Sequence, residues 1–395
     1  MALGPAGRLK ILFPYLARTR AANWSRYQQL LAARARAGDD VTVLEPPPRK
    51  SDETNYREMD LPLPAGFRTE EVALPRAFWA IRFPFDKIVK KGAYSLAANR
   101  RAREIGRNDP PDVLLVYNVT QEGLLRYPAP VVFDVADDLP AMLRIEGGVF
   151  GGVLAAAARK ALARMVAGAS LVTTPSRVLL PELGPGAVFV PNGVDREEIA
   201  AARRNAAENA AGPGGDGPIG FLGSFEYFID FDFVLELAAR LPARRFLLIG
   251  GGRRFDEVRR RVAGGRLGNV ELAGPLPHPR ALERLAACAF SLCPFTRDAV
   301  GDGASPLKLF ESLALAVPVI ATRTREIRAE APGNVVFADS AEEAASAVAD
   351  AEARPSEDRR ASAEETAARV LSERNWDRIG DEWARRVGEI SRTTA

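Results

Sequence analysis

The stretch GASPLKLFESLALAVPVIAT, residues 303–322, contains a helix start, an amphipathic helix and a short buried strand in immediate succession. Ser305 is a favourable N-cap residue, and Pro306 is a favourable first helical residue. Apolar side chains then recur at helical spacing until Pro318 stops the helix, and the β-rich VPVIAT follows. A helix that leads directly into a buried strand is the repeating unit of a parallel α/β sheet.

One residue of this stretch is out of place electrostatically. Lys308 lies near the helix start, where free backbone N–H groups already carry partial positive charge. It is also the only lysine after Lys160, in a chain that has 7 lysines and 47 arginines. Two interpretations remain open from the local pattern. The lysine and the helix start together bind an anion such as phosphate, or Lys308 forms a surface ion pair with Glu311 one turn later.

The same strand–helix alternation extends outward in both directions along the chain. It runs from LKILF near the N-terminus to AVFV before residue 190, and it restarts at PIGFLGS after residue 217. The pattern predicts an α/β protein with two doubly wound domains that face each other across a cleft, residues 1–195 and 217–372. Residues 196–216 read as a linker, and residues 373–395 read as a C-terminal helix that packs back toward the first domain.

Composition excludes several classes of protein and site. The chain has 395 residues, 47% hydrophobic and 27% charged, with a net charge of +3, which gives no reason to expect nucleic acid binding. A single histidine, His278, and two cysteines, Cys288 and Cys293, are too few for a metal cluster or a disulfide framework. We expect no metal and no cofactor. The short first strand does not resemble a signal peptide and no apolar run is long enough to span a bilayer, so a cytoplasmic protein is expected.

The second half of the chain resembles the donor domain of GT-B glycosyltransferases of the GT4 type, in the glycosyltransferase family 1 group. The matching segments occur in order, and they are IGFLGSFEYFIDFDFVLELA, RFLLIGGG, NVELAGPLPHPRALERLAACAFSLCPF and SPLKLFESLALAVPVIAT. VPNGVD between the domains also fits. RYQQLLAARARAGDDVTVLEPP and VVFDVADDLP resemble a subgroup that makes bacterial cell-surface polysaccharides and carries a PLK-x-x-E donor motif.

This resemblance implies a GT-B fold of two Rossmann-like domains and an enzyme of class EC 2.4. Such an enzyme moves a sugar from a UDP-, GDP- or dTDP-linked donor to a saccharide, lipid-linked or small-molecule acceptor. It implies that Glu311 binds the nucleotide ribose and that Lys308 lies near the diphosphate. The base and the remaining phosphate contacts fall on residues at loop and helix starts: Gly223, Ser224, Gly250, Gly274, Pro275, Leu276, Arg297, Ser305, Pro306 and Leu307.

The sequence departs from the family pattern in two places. Retaining members carry a second glutamate eight positions before the ribose-binding one, but here that position is Gly303, with Asp302 beside it. No basic residue follows the first strand of the second domain, so more phosphate charge is left to Lys308 and Arg297. A nucleotide-sugar epimerase of GT-B fold and a non-catalytic partner subunit therefore remain alternatives. A nicotinamide dehydrogenase is disfavoured, because neither ILFPYLARTR nor LLIGGGRRF is a GxGxxG motif.

Three aspartates in VVFDVADDLP are candidates for the base that deprotonates the acceptor hydroxyl. Asp137 and Asp138 lie just beyond a strand end, where the cleft is expected, and two neighbouring carboxylates can raise the pKa of one of them. Asp138 is the first choice and Asp134, within the strand, is the weakest. The alternative is that the pair caps the following helix.

The segment RAFWAIRFPFDKIVKKGAY, residues 76–94, alternates aromatic and basic side chains. Such a segment predicts contact with an anionic lipid surface at the inner face of the membrane, or with a lipid-linked acceptor. The alternative is a packed loop whose aromatic residues are core. The residues proposed for this contact are Trp79, Arg82, Lys87, Lys90 and Lys91.

Overall fold

Thirteen strands form two sheets in the computed structural model, which describes residues 8–21, 25–47, 59, 61–74, 86–208 and 217–394. The first sheet has seven parallel strands in the order β3-β2-β1-β4-β5-β6-β7. Its strands are β1 Lys10–Pro14, β2 Asp40–Glu45, β3 Phe67–Glu71, β4 Val113–Val116, β5 Val131–Asp134, β6 Leu171–Thr174 and β7 Ala187–Phe189.

The second sheet has six parallel strands in the order β10-β9-β8-β11-β12-β13. Its strands are β8 Ile219–Leu222, β9 Phe246–Ile249, β10 Val270–Gly274, β11 Phe290–Cys293, β12 Val319–Ala321 and β13 Val335–Phe337. Both sheets therefore reverse strand order next to their first strand, as doubly wound dinucleotide-binding domains do. This confirms the α/β fold class and the two doubly wound domains.

Fourteen α-helices are described. In the first domain these are α1 Arg26–Arg36, α2 Asp86–Asn108, α3 Leu139–Glu146 and α4 Gly151–Gly168. In the second domain they are α5 Arg196–Glu208, α6 Phe231–Arg240, α7 Phe255–Gly264, α8 His278–Ala286, α9 Ala299–Gly303, α10 Leu307–Ala314, α11 Arg325–Glu330, α12 Ala341–Ala353 and α13 Ser356–Glu373. The last helix is α14 Trp376–Thr394.

Central strands of both sheets are buried on both faces, which explains their continuous apolar sequences. Val113–Val116 is almost completely inaccessible, and so is Phe246–Ile249 at the equivalent level of the second sheet. The order of strands reverses between β1 and β4 and between β8 and β11. Ligands of such sheets bind beyond the carboxyl ends of the strands at this reversal, so the relevant loops are those after β1, β4, β8 and β11.

The interpretation of residues 196–216 as a linker needs correction in its first part. Arg196–Glu208 forms α5, and α5 packs against α8 of the second domain. The composition is polar and alanine-rich, but Ile199, Ala202 and Ala206 recur at helical spacing and are buried. The remaining residues of the proposed linker, 209–216, lie outside the described ranges.

The C-terminal helix α14 lies against α1 of the first domain, which is where the sequence analysis expected residues 373–395 to pack. Trp376 and Trp383 are each 1% exposed and belong to the same apolar cluster as the first strand. The Trp376 indole N–H donates a 2.6 Å hydrogen bond to the side-chain oxygen of Gln29 on α1. The chain thus crosses back from the second domain to the first.

Glu326 of α11 joins the two domains on the far side of the cleft. Its carboxylate is inaccessible to solvent and accepts hydrogen bonds from the Ser176 hydroxyl at 2.8 Å and from the Val178 backbone N–H at 2.9 Å. Ser176 and Val178 follow β6 of the first sheet. Because a buried carboxylate needs such donors, this contact fixes one relative position of the two domains.

Candidate functional site

Lys308 lies in the first turn of α10 and points toward the end of β8. Its ammonium nitrogen lies 4.4 Å from the centre of the Phe221 ring and 5.2 Å from that of Phe295. Burial lowers its pKa from the ordinary value to about 8. Within the described residues it forms no ion pair, which argues against the alternative interpretation of a surface pair with Glu311. A half-buried cation without a counter-ion is a feature that an anionic ligand would stabilise.

Two glycines bring bare backbone beneath this ammonium group. A methyl carbon added to Gly223 would lie 2.5 Å from the Lys308 Nζ atom, and one added to Gly250 would lie 1.9 Å from the Gly223 carbonyl oxygen. Both residues also have positive φ angles, 150° and 133°, that disfavour other residues. The loop after β8 therefore lies close against Lys308, and the loop after β9 packs directly against the loop after β8.

The N-terminus of α10 has no side-chain cap. Sequence analysis placed the cap at Ser305, but the helix begins one residue later, with Pro306 in an extended conformation at the cap position. The Ser305 hydroxyl is buried and has no hydrogen-bond partner among the described residues, while its carbonyl accepts a 2.7 Å bond from Asn192 of the first domain. The first N–H groups of the helix, including that of Leu307, are left without a side-chain acceptor, as at many phosphate-binding helix starts.

Glu311 is buried rather than paired with Lys308. One of its oxygens, Oε1, is 3.0 Å from the Nε2 atom of His278 and accepts a 3.2 Å hydrogen bond from the side-chain amide of Gln29. The carboxylate is 4% exposed and lies on the same face of α10 as Lys308. A donor-side carboxylate is thus held by residues from both domains.

The other donor-site candidates lie around these residues with varying contacts. Gly274 ends β10, and its carbonyl accepts a 2.9 Å bond from the Gly250 backbone, which brings the loop of Pro275 and Leu276 next to β9. Leu276 packs against the apolar core of the second domain. Arg297 is more than half exposed and forms a 3.1 Å ion pair with Asp339. Its charge is therefore already balanced, which weakens the prediction that it assists Lys308.

Asp134 is a structural residue, which makes its selection as a catalytic candidate wrong. Its carboxylate is 2% exposed and forms two hydrogen bonds with the guanidinium of Arg26, at 2.9 and 3.0 Å. The Thr173 hydroxyl donates a third bond at 2.6 Å. A buried carboxylate with these partners has no free oxygen directed at a substrate, and its role is to tie α1 to β5.

Asp138, the first choice for the base, caps α3 instead. Its carboxylate accepts a 2.9 Å hydrogen bond from the Ala141 backbone N–H. Asp137 is the one of the three candidate bases whose carboxylate has no structural role within the described residues. Its side chain is exposed to the cleft, yet the surrounding protein and the neighbouring Asp134 raise its pKa, against the opposing charges of Arg26 and Lys91. The negative charge of Asp137 also raises the pKa of Tyr227 in the second domain, although burial contributes more.

A cavity of about 190 Å³ is lined by residues of both domains. Tyr15, Met142 and Glu146 line it from the first domain, and Ser224, Tyr227 and Arg253 line it from the second. Arg253 bridges the opening through a 3.0 Å ion pair with Glu146 and a 3.1 Å ion pair with Glu226. The cavity contains balanced charges and aromatic faces, as a site for a polyhydroxylated molecule would.

Of the predicted lipid-contact residues, Lys90 and Lys91 are the ones whose side chains lie in the described part of the chain. Trp79 and Arg82 lie outside the described residues, and so does the side chain of Lys87. Lys90 is 7% exposed, so it is not available to a lipid headgroup. Lys91 is exposed, and the surrounding protein lowers its pKa, with the charges of Glu146 and Asp137 acting in the opposite direction. None of the described helices combines the length and hydrophobicity needed to cross a membrane.

Sequence reasoning missed three residues of this region: Gln29, Arg253 and the role of His278. His278 had one usable signal, since it is the only histidine of the chain and stands at a helix start. Gln29 and Arg253 gave none, because an amide on a buried helix and one arginine among many become informative only through their partners in the other domain. In the described residues no group of histidine, cysteine and acidic side chains has the arrangement of a metal site.

Comparisons with solved structures place this architecture among known folds. Over 97% of its length the chain superposes on 98% of a sucrose-phosphate synthase from Thermosynechococcus elongatus, with a TM-score of 0.70 and 17% identity. The α,α-trehalose 6-phosphate synthase from Burkholderia multivorans superposes with a TM-score of 0.69 and 14% identity, over 98% of this chain and 100% of that one. The fold is GT-B. At these identities the likeness establishes the fold of this GT-B protein and not its reaction.

Another similar structure is Anabaena HepE in complex with UDP-glucose, with a TM-score of 0.64 and 14% identity over 97% of this chain and 100% of that one. By sequence, a family profile described as glycosyl transferase-like matches residues 232–385. TuaH of Bacillus subtilis (strain 168), a protein assigned to teichuronic acid biosynthesis as a glycosyltransferase, is 30% identical over 139 residues. That match spans about a third of each chain, 34% of this one and 33% of TuaH.

Proposed function

We propose that this protein is a glycosyltransferase that moves a sugar from a nucleoside diphosphate donor to a hydroxyl group of an acceptor. The observation that carries the proposal is the ammonium of Lys308, which has no counter-ion in the described residues and lies against the bare backbone of Gly223. The uncapped start of α10 adds partial positive charge at the same place. The combination matches a diphosphate in charge and in hydrogen-bond donors.

Different residues are proposed to act on the leaving diphosphate and on the acceptor hydroxyl. The bond between the sugar and the donor phosphate breaks, and the leaving diphosphate keeps the electron pair, which Lys308 and the helix start stabilise. The new bond forms between the sugar carbon and the acceptor oxygen. The acceptor proton goes to Asp137, whose raised pKa makes it a better base than an ordinary aspartate near neutral pH.

The stereochemical outcome is proposed as inversion, because the second glutamate of the retaining pattern is absent. Gly303 occupies that position, and Leu179 of the first domain lies 3.2 Å from where its side chain would begin. Asp302, the acidic residue beside Gly303, accepts a 2.9 Å hydrogen bond from the Arg325 backbone N–H. An inverting reaction needs a base from the protein, and the raised pKa of Asp137 supports it as that base.

For the acceptor, we propose a saccharide of a cell-surface polysaccharide, in agreement with the partial match to TuaH. The cavity between the domains is lined by Tyr227, whose ring can stack on a sugar, and by the paired charges of Arg253 and Glu146. Because those charges already balance, the cavity favours a neutral sugar ring over an anionic one.

A thermal-shift panel of nucleotide sugars tests the proposed function. UDP-, GDP- and dTDP-linked sugars are added to the full chain, with the corresponding nucleosides as controls. A donor present at 100 times its Kd stabilises the fold by about 2.7 kcal/mol. We expect a rise in Tm with one base class and no rise with its nucleoside at the same concentration. No rise with any nucleotide sugar contradicts the proposal.

Contact with a membrane surface is proposed for the turn between α3 and α4 rather than for Lys90 and Lys91. Val149 is 94% exposed and Val153 72% exposed, and Arg159 and Lys160 are exposed further along α4. Apolar side chains beside basic ones suit an anionic bilayer. In vesicle sedimentation, we expect binding to phosphatidylglycerol vesicles that falls about tenfold in the Val149→Ser/Val153→Ser variant. Equal sedimentation of the two proteins would exclude this surface.

A further inference from the structure

The ring of His278 lies between two carboxylates at the start of α8. Its Nδ1 atom is 2.8 Å from Glu198 Oε2, and its Nε2 atom is 3.0 Å from Glu311 Oε1. A carboxylate within hydrogen-bond distance of each ring nitrogen favours a proton on both nitrogens, which is the imidazolium form. Burial opposes this charge, but the two glutamates outweigh it and raise the pKa of His278 to about 10.

Gln29 approaches the same oxygen of Glu311 from the first domain. Its side-chain nitrogen donates a 3.2 Å hydrogen bond to Glu311 Oε1, and its side-chain oxygen accepts the 2.6 Å bond from Trp376. The indole N–H is a donor only, so it fixes which end of the amide faces Glu311. All three side chains are buried, which leaves the amide one orientation.

The two carboxylate oxygens of Glu311 differ in their hydrogen bonds. Oε1 of Glu311 accepts both donors, from His278 and from Gln29. Within the described residues, Oε2 accepts no hydrogen bond. Lys308 stands one turn earlier on the same face of α10, so Oε2 is a carboxylate oxygen without a hydrogen bond on the face that carries the proposed diphosphate site.

We infer that His278 and Gln29 are positioning residues that orient Glu311, so that Oε1 is occupied by their contacts and Oε2 is presented to the ribose hydroxyls of the donor. The inference rests on the proposed function. Because Gln29 belongs to the first domain, recognition of ribose in the second domain depends on the contact between the domains. Loss of either positioning residue is therefore expected to weaken ribose recognition. Phosphate recognition by Lys308 should not change.

The experiment measures discrimination between ribose and deoxyribose by titration calorimetry on the full chain. UDP, GDP and ADP are each compared with their 2′-deoxy and 3′-deoxy counterparts, and inorganic pyrophosphate reports on the phosphate end. The wild type is expected to bind one ribonucleotide about 10–100-fold more tightly than its deoxy form, the usual effect of a hydrogen bond to a charged group. In Gln29→Met and His278→Gln the ratio is expected to fall below about one third of its wild-type value.

Two variants are used because His278→Gln removes a buried charge and can impair folding, whereas Gln29→Met keeps nearly the same volume and removes the amide that joins Glu311 to Trp376. If the two residues had only a structural role, the variants would have a lower Tm and would bind all ligands, including pyrophosphate, more weakly by one common factor. The ratio of ribonucleotide to deoxyribonucleotide affinity would then be unchanged. That result, or a wild-type ratio near one, overturns the inference while leaving the diphosphate site of Lys308 standing. If the wild type binds no nucleoside diphosphate at all, the result contradicts both the proposed function and this inference.

Discussion

Lys308→Met is expected to weaken the binding of nucleoside diphosphates by about 10–150-fold, which corresponds to about 1.5–3 kcal/mol for a charge-assisted hydrogen bond. Methionine retains the apolar contacts of the lysine stem with Phe221 and Phe295 and removes only the charge. The affinity for the nucleoside should hardly change. Titration calorimetry of the diphosphate and the nucleoside with both proteins measures the two effects separately.

The control for this experiment is Lys160→Met, which removes an exposed lysine on α4 of the first domain. It changes the net charge of the protein by the same amount, and its diphosphate affinity should equal that of the wild type. If Lys308→Met weakens the binding of the nucleoside and of the diphosphate by the same factor, the lysine acts through packing. If both variants bind the diphosphate as the wild type does, the phosphate site lies elsewhere.

Asp137→Asn is expected to lower turnover by about 10²–10⁴-fold, the usual size of a general-base contribution, with donor affinity and Tm unchanged. The wild-type rate should rise with pH as Asp137 loses its proton, and the midpoint should lie above the ordinary aspartate pKa because the surrounding protein raises it. This rise should disappear in Asp137→Asn. The measurement is release of nucleoside diphosphate with the donor that the thermal-shift panel identifies.

The neighbouring aspartates supply matched controls for Asp137. Asp138→Asn keeps an acceptable N-cap for α3, so it should change both stability and turnover little. Asp134→Asn breaks the buried pair with Arg26 and should destabilise the protein by about 3–5 kcal/mol. If Asp137→Asn retains near-normal turnover while Asp138→Asn loses it without loss of Tm, the base is Asp138 and the assignment from structure is wrong.

The fold was predictable because its signals are local. Runs such as Val113–Val116 and Phe246–Ile249 are apolar throughout. A strand that is buried on both faces needs apolar side chains at every position, so such runs indicate central strands of a parallel sheet. β3, Phe67–Glu71, was missed because only Phe67 is buried and the rest of this edge strand is polar. The helix α5 was missed because its buried residues are mostly alanines, which also occur in linkers.

The candidate site was predictable only in part, because its contacts join distant parts of the chain. Lys308 could be singled out from a local conflict between its charge and the helix start. Glu311 was assigned a ribose contact, but its partner Gln29 is 282 residues away in sequence and in the other domain. Asp134 was a candidate base until its bond with Arg26, 108 residues earlier, became visible.

The charge state of Lys308 is the quantity that tests the central claim most directly. The chain has only seven lysines, so the Lys308 side-chain signal can be assigned in NMR spectra by comparison with Lys308→Met. In the free protein this ammonium should titrate at about pH 8, because burial lowers its pKa. Saturation with the nucleoside diphosphate should raise that pKa by at least about one unit, since two phosphates stabilise the charge, and the nucleoside should leave it unchanged. A Lys308 pKa that stays the same when the diphosphate is bound would contradict the account.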